Sequence, residues 1–175
     1  MTDSRVKKGL FVVLGVLLAV AVATVIARYD PELARIRSAT LGYIEDLKQR
    51  DFASASKRVF KDDLLALKSS SIDMVGSTAG FRRDVEEFFG TQDPAEIRAQ
   101  SRLRFFQLMV WRTFDRTPDV HEALRRGEVV GVSLDRDGDS AKADVTLALA
   151  TAQGQRQIQM HLKLIRDGDQ WWIRI

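Results

Sequence analysis

The chain has 175 residues, 45% of them hydrophobic, a formal net charge of +3 and no cysteine. Without Cys there are no disulfides, no thiolate chemistry and no lipoprotein anchor. Arg5, Lys7 and Lys8, less Asp3, supply +2 of the charge, so the rest of the chain is near balance and lacks the basic footprint of a nucleic-acid binder.

Residues 1–9 read as a short cytoplasmic stub and Leu10–Ala27 as a transmembrane helix. The run holds 18 residues without a charge, enough to cross a bilayer core. Positive residues beside a span stay cytoplasmic. The expectation is therefore a single-pass protein of the cell membrane, its N-terminus inside and an extracytoplasmic domain over residues 28–175. The competing reading is a cleaved signal sequence, because Ala21-Val22-Ala23 has the small-x-small form of a cleavage site. Both readings export the domain. A buried core helix is the weakest reading, since a terminal helix that is apolar all round has no face to show to water.

Asp30-Pro31 is an N-cap followed by Pro at the first helical position. Leu33, Ile36, Thr40, Tyr43, Ile44 and Leu47 then recur at helical spacing, with Gly42 weakening the middle. Asp51 caps a short helix carrying Phe52, Ala55, Val59 and Phe60, and a further turn follows around Leu64, Leu65 and Leu67. Ser69 to Gly80 is rich in Ser, Gly and Thr and reads as a loop. Phe81 to Phe89 reads as an amphipathic helix ended by Gly90. Asp93-Pro94-Ala95-Glu96 combines an N-cap, Pro at N1 and an acid in capping-box spacing; the helix it starts is predicted to run to about Arg116, before Thr117-Pro118. Asp119 to Arg126 is a connection.

From Glu128 the period changes to two. Val130, Val132 and Leu134 form one apolar row; Ala141, Ala143, Val145, Leu147 and Leu149 a second; Ile158, Met160, Leu162 and Leu164 a third; Trp171, Ile173 and Ile175 a fourth. Asp137-Gly138, Gln153-Gly154 and Asp167-Gly168-Asp169 are the turns between them. Four strands with one apolar face make an antiparallel meander that packs on one side only, and the preceding helices are its cover. The fold class is α+β.

Two stretches carry a resemblance. Leu41-Gly42-Tyr43-Ile44-Glu45-Asp46-Leu47, continuing through Asp51-Phe52-Ala53-Ser54-Ala55, is similar to the opening helices of NTF2-like domains. Asp167-Gly168-Asp169-Gln170-Trp171-Trp172-Ile173 resembles their final hairpin. The resemblance spans most of Ala39 to Ile175. It implies helices closing over a curved four-stranded sheet to leave a pocket. Members range from isomerases and dehydratases to ligand binders and scaffolds. Single-span proteins with an exported domain of this kind resemble parts of secretion machines and the Mce-associated membrane proteins. Isomerase-like members set a Tyr and acidic groups in an apolar pocket; no acid can be assigned to Tyr43, so no catalytic residue is carried over.

The remaining motifs reduce to ordinary structure. His121 and His161 are far apart and lack metal-ligand spacing. Asp135-Arg136-Asp137-Gly138-Asp139 departs from a calcium loop, with Ser140 where Gly belongs and Thr146 where Glu belongs. Ser54-Ala55-Ser56-Lys57 lacks the partner motifs of penicillin-binding enzymes. No metal or cofactor is expected. The sharper candidate is the helix through Arg116, whose middle is apolar nearly all round. Phe105 and Met109, rimmed by Arg98, Arg102, Arg112 and Arg116, make a candidate patch for a protein partner or a second copy. The competing reading buries that helix at the centre of the domain. The expected function is binding or assembly by a membrane-anchored domain. The alternatives are a pocket enzyme of isomerase or hydrolase type, or a binder of an apolar small molecule, for which Tyr43, Trp111 and His161 are the pocket candidates.

Overall fold

The computed structural model describes residues 30–77 and 79–175, with side chains described outside 74–82 and 84. The stub, the Leu10–Ala27 run and its cleavage motif lie outside the described residues, and among those described no helix is long and apolar enough to cross a membrane. The chain divides into two compact units, Met1–Ala34 and Arg35–Ile175.

The helices come first: α1 (Pro31–Lys48), α2 (Phe52–Arg58), α3 (Lys61–Ser77), α4 (Ala79–Phe89), α5 (Pro94–Ala99), α6 (Arg102–Arg116) and α7 (Pro118–Arg126). Four strands follow, β1 (Glu128–Asp137), β2 (Ser140–Thr151), β3 (Gly154–Asp167) and β4 (Gln170–Arg174), in one antiparallel sheet of order β1-β2-β3-β4. The α+β class and the antiparallel meander are as the periodicity requires.

Helix α1 buries one stripe, Ile36, Thr40, Tyr43, Ile44 and Leu47. It ends in a Schellman motif: Asp51 N–H donates to Asp46 C=O and Arg50 N–H to Leu47 C=O. The left-handed position of that motif usually holds Gly, yet here it holds Arg50 at φ 58. Asp51 then caps α2, its carboxylate accepting from Ser54 N–H at 3.0 Å. Helix α2 ends at Arg58, so Val59 and Phe60, expected on it, lie beyond its end. Val59 instead forms a parallel bridge with Ile173, and Phe60 N–H donates to Ile173 C=O, covering the outer edge of β4.

Three expectations along the helical layer are corrected. Ser69 to Gly80 is not a loop: α3 runs to Ser77. Ser71 Oγ donates to Leu67 C=O one turn back, so its hydroxyl is satisfied within the helix and does not call for a loop. Leu65 and Leu67 are exposed at 64% and 39%, and Leu64 alone of the three is buried. The predicted helix from Pro94 to Arg116 is two helices. Gln100 is extended, and Ser101 starts again by accepting from Arg104 N–H. Asp119 to Arg126 belongs to a helix, not a connection: Pro118, which stops α6, also sits at the first position of α7.

Basic side chains stitch these short helices together by reaching the C-terminal carbonyls of neighbours, where the helix dipole favours a cation. Lys68 Nζ donates to the carbonyls of Arg98 and Gln100 at the end of α5. Arg102 donates to those of Ser56 and Val59 at the end of α2. Lys48 donates to Gly127, the C-cap of α7.

The sheet buries Ala141, Ala143, Val145, Leu147, Leu149, Leu164, Trp171 and Ile173. Val132 and Leu134 pair with Val145 and Ala143 and share their face. Val130 does not belong to the apolar row. A bulge lies between Val129 and Gly131, so Val129 takes the inward place opposite Leu147 and Val130 is 51% exposed.

Candidate functional site

The sequence candidates fall in three places. Tyr43 lies on α1 in the core, 6% exposed; desolvation pushes its phenol far above the usual tyrosine range, so it stays protonated. Among the described residues no side chain hydrogen-bonds to it. His161 is on the opposite face of the sheet, exposed, with Nδ1 2.7 Å from Asp144 Oδ1 directly across on β2. Trp111 is on α6, 37% exposed. It stands edge-on to Phe52, Phe114 and His121, and the Arg50 guanidinium lies 5.4 Å from its ring. His121 stacks flat on Phe114 with centroids 4.6 Å apart. The three pocket candidates do not converge.

The arginine-rimmed patch is also dispersed. Phe105 is 1% exposed and stacks on Phe89 at 5.3 Å, so it is core rather than surface. Met109 is half-buried. Arg102 is spent on the end of α2. Arg112 lies near Glu87 and Asp115 at 3.7 and 3.8 Å. Arg98 is exposed and makes no side-chain pair among the described residues. The physical reason is the break at Gln100. It reorients Arg98 relative to α6, and the aromatic face of α6 turns inward against α2 and α4.

Arg116 is different. It is exposed, carries no ion pair among the described residues, and borders an open depression of about 440 Å³ at the start of α7. Pro118, Val120 and Ile158 give that depression apolar walls. Arg156 on β3 and Asp119 on α7 form its floor as a two-pronged pair at 3.1 and 2.6 Å.

Beside this depression is a feature that the sequence reading missed. Strand β4 pairs with β3 only from Lys163 to Asp167, leaving Gly154–Leu162 bonded to β2 alone among the described residues. Backbone groups alternate sides along an antiparallel strand. Arg166 N–H points to the β2 side, donating to Asp139 C=O. The N–H and C=O groups of Gln155, Gln157, Gln159 and His161 therefore point to the open edge. The signal available in the sequence was a mismatch of length: β3 has 14 residues and β4 has five.

No family model and no curated protein matches the chain. Among solved structures, it is similar to a function-unknown protein from Mycobacterium tuberculosis. The identity is 26% over 32% of this chain and 41% of that one, with a TM-score of 0.19. This chain thus spans less than half of that protein's length, and the likeness carries no argument about fold or role.

Proposed function

We propose that the chain is a membrane-anchored NTF2-like domain displayed on the extracytoplasmic side, working by binding or assembly rather than by catalysis. The anchor reading rests on the uncharged run Leu10–Ala27 behind Arg5, Lys7 and Lys8. The NTF2-like reading rests on the order of the helices, the meander and the Trp-bearing last strand.

One observation supports the non-catalytic side above the others. The face of the sheet that the helices cover is filled by Phe105, Phe106, Leu147, Leu164 and Ile173, each at most 2% exposed. The buried polar residues among those described are Thr40 and Ser56, and Ser56 already bonds within its own helix turn. A pocket enzyme needs ionisable groups converging on a cavity. Here the described carboxylates and cations lie outside that core: some form pairs such as Arg58–Asp46 and Arg156–Asp119, and Asp135, Asp137, Lys142, Lys163 and Arg174 border an open depression of about 530 Å³ at the β1–β2 turn end of the sheet.

The test is the full chain expressed in bacterial membranes. The reading expects it to resist carbonate extraction, to keep Leu10–Ala27 by mass spectrometry, and to lose its C-terminal domain to protease added outside the cell membrane. A mature chain beginning at Thr24 would make the domain a soluble exported one. A protease-resistant domain in intact spheroplasts that is cleaved after lysis would place it inside and refute the reading.

A further inference from the structure

The three edges of the sheet are treated differently. The free edge of β1 carries a bulge at Val130 and the charges of Glu128, Asp135, Arg136 and Asp137, devices that keep strands from pairing with strangers. The free edge of β4 is covered by Val59 and Phe60. Among the described residues the open half of β3 has no such protection. Gly154–Leu162 contains no proline and no acid, and its single charged residue, Arg156, is turned to the helix side and neutralised by Asp119. Its outward backbone groups belong to Gln155, Gln157, Gln159 and His161.

Opposite residues of paired strands share a face. A strand added here would project alternate side chains past Ile158 into the depression walled by Pro118 and Val120. Backbone bonds supply the affinity in such an addition, and a pocket for alternate side chains supplies the choice of ligand. At the mouth stands Arg116, exposed and without an ion pair among the described residues. It calls for a carboxylate.

We infer that the open half of β3 accepts an extended segment of a partner protein as a fifth strand, with an apolar side chain in the depression and an acidic one facing Arg116. This rests on the binding-or-assembly reading and gives the partner a chemistry. A second copy of the chain fits less well, because Gly154–Leu162 itself offers no acid to Arg116.

The probe is a synthetic nine-residue peptide of alternating Val and Thr with one Glu, titrated onto the full chain in detergent. Readouts are fluorescence anisotropy and backbone hydrogen exchange. The expected result is at least tenfold slower exchange over residues 155–161 in the bound state. Arg116→Glu should weaken binding at least fivefold. Gln159→Pro should abolish it without loss of the folded state, since that N–H faces outward and proline is tolerated at such edge positions. Gln159→Lys serves as a second variant where proline perturbs the fold, and should weaken binding as an edge-blocking charge does. The inference is overturned if protection appears elsewhere, if both Gln159 variants bind like the parent, if a peptide with Lys in place of Glu binds equally, or if the free chain is a dimer already protected over 155–161. These outcomes leave the anchor and its topology untouched, so failure here is separable from failure of the proposed function.

Discussion

Arg102→Ala separates a structural cation from a recognition one. Arg102 Nη2 donates to Ser56 C=O at 2.9 Å and to Val59 C=O at 2.7 Å. These carbonyls end α2 and begin the segment that bridges to Ile173. A buried hydrogen bond to a charged group contributes about 1.5–3 kcal/mol. Arg102 is exposed, so water replaces part of each bond, and the two together are worth about 2 kcal/mol. For a chain of this size that lowers Tm by roughly 4–8 °C. Arg98→Ala is the control, because the Arg98 side chain bonds to nothing among the described residues; its change should stay within about 0.5 kcal/mol. The assay is thermal unfolding followed by circular dichroism, beside association measured by sedimentation. If Arg102→Ala leaves Tm within about 1 °C of the parent and instead weakens association, the cation is a docking residue and the stitching argument fails.

Four further predictions follow from single positions. Arg50 is held at φ 58, a strain of about 1 kcal/mol, against a cation–π contact with Trp111 worth about 0.5–1 kcal/mol; denaturant midpoints should show Arg50→Gly near neutral and Arg50→Ala destabilised by the lost contact. A Cβ on Gly42 would sit 2.6 Å from Arg58 Nη1, so Gly42→Ala should be near neutral alone but stabilise by about 1 kcal/mol in an Arg58→Ala background, where only helix propensity remains. The hydroxyl of Thr40 is fully buried with no partner among the described residues, and Thr40→Val should stabilise by about 1 kcal/mol in the same measurement. The Asp51 carboxyl is held below its ordinary value of 3.8 by the Ser54 backbone and side chain. A depressed folded pKa means the cap is fully present above that ordinary value and is lost as pH falls through the folded one; Asp51→Asn, which still accepts the bond, should flatten that acid limb of the stability curve.

The strands were legible because a period of two and a turn dipeptide are both local in sequence. What was not legible depends on partners distant in the chain. Val130 looks identical to Val132 in the pattern, and only the register against Leu147 and Val145 turns it outward. Gln100 breaks a helix whose composition favours continuation, because Ser101 caps the next one and Lys68 satisfies the carbonyls left behind. Thr117-Pro118 signals a stop in the sequence, yet the same proline also begins α7. Arginines at helical spacing gave the directions of their side chains but not their destinations. Arg102 folds back onto α2, Arg112 goes to acidic neighbours, and Arg116 borders the depression at the start of α7.

The proposal is that the domain, anchored by Leu10–Ala27, works outside the cytoplasm by holding a partner. Its most direct test is treatment of intact cells carrying the full chain with a membrane-impermeant cross-linker. The expected product is a discrete adduct of higher mass that retains Leu10–Ala27 and contains a second protein. Reaction only with a membrane-permeant reagent, or an impermeant reagent that labels the chain solely as a monomer, would contradict it.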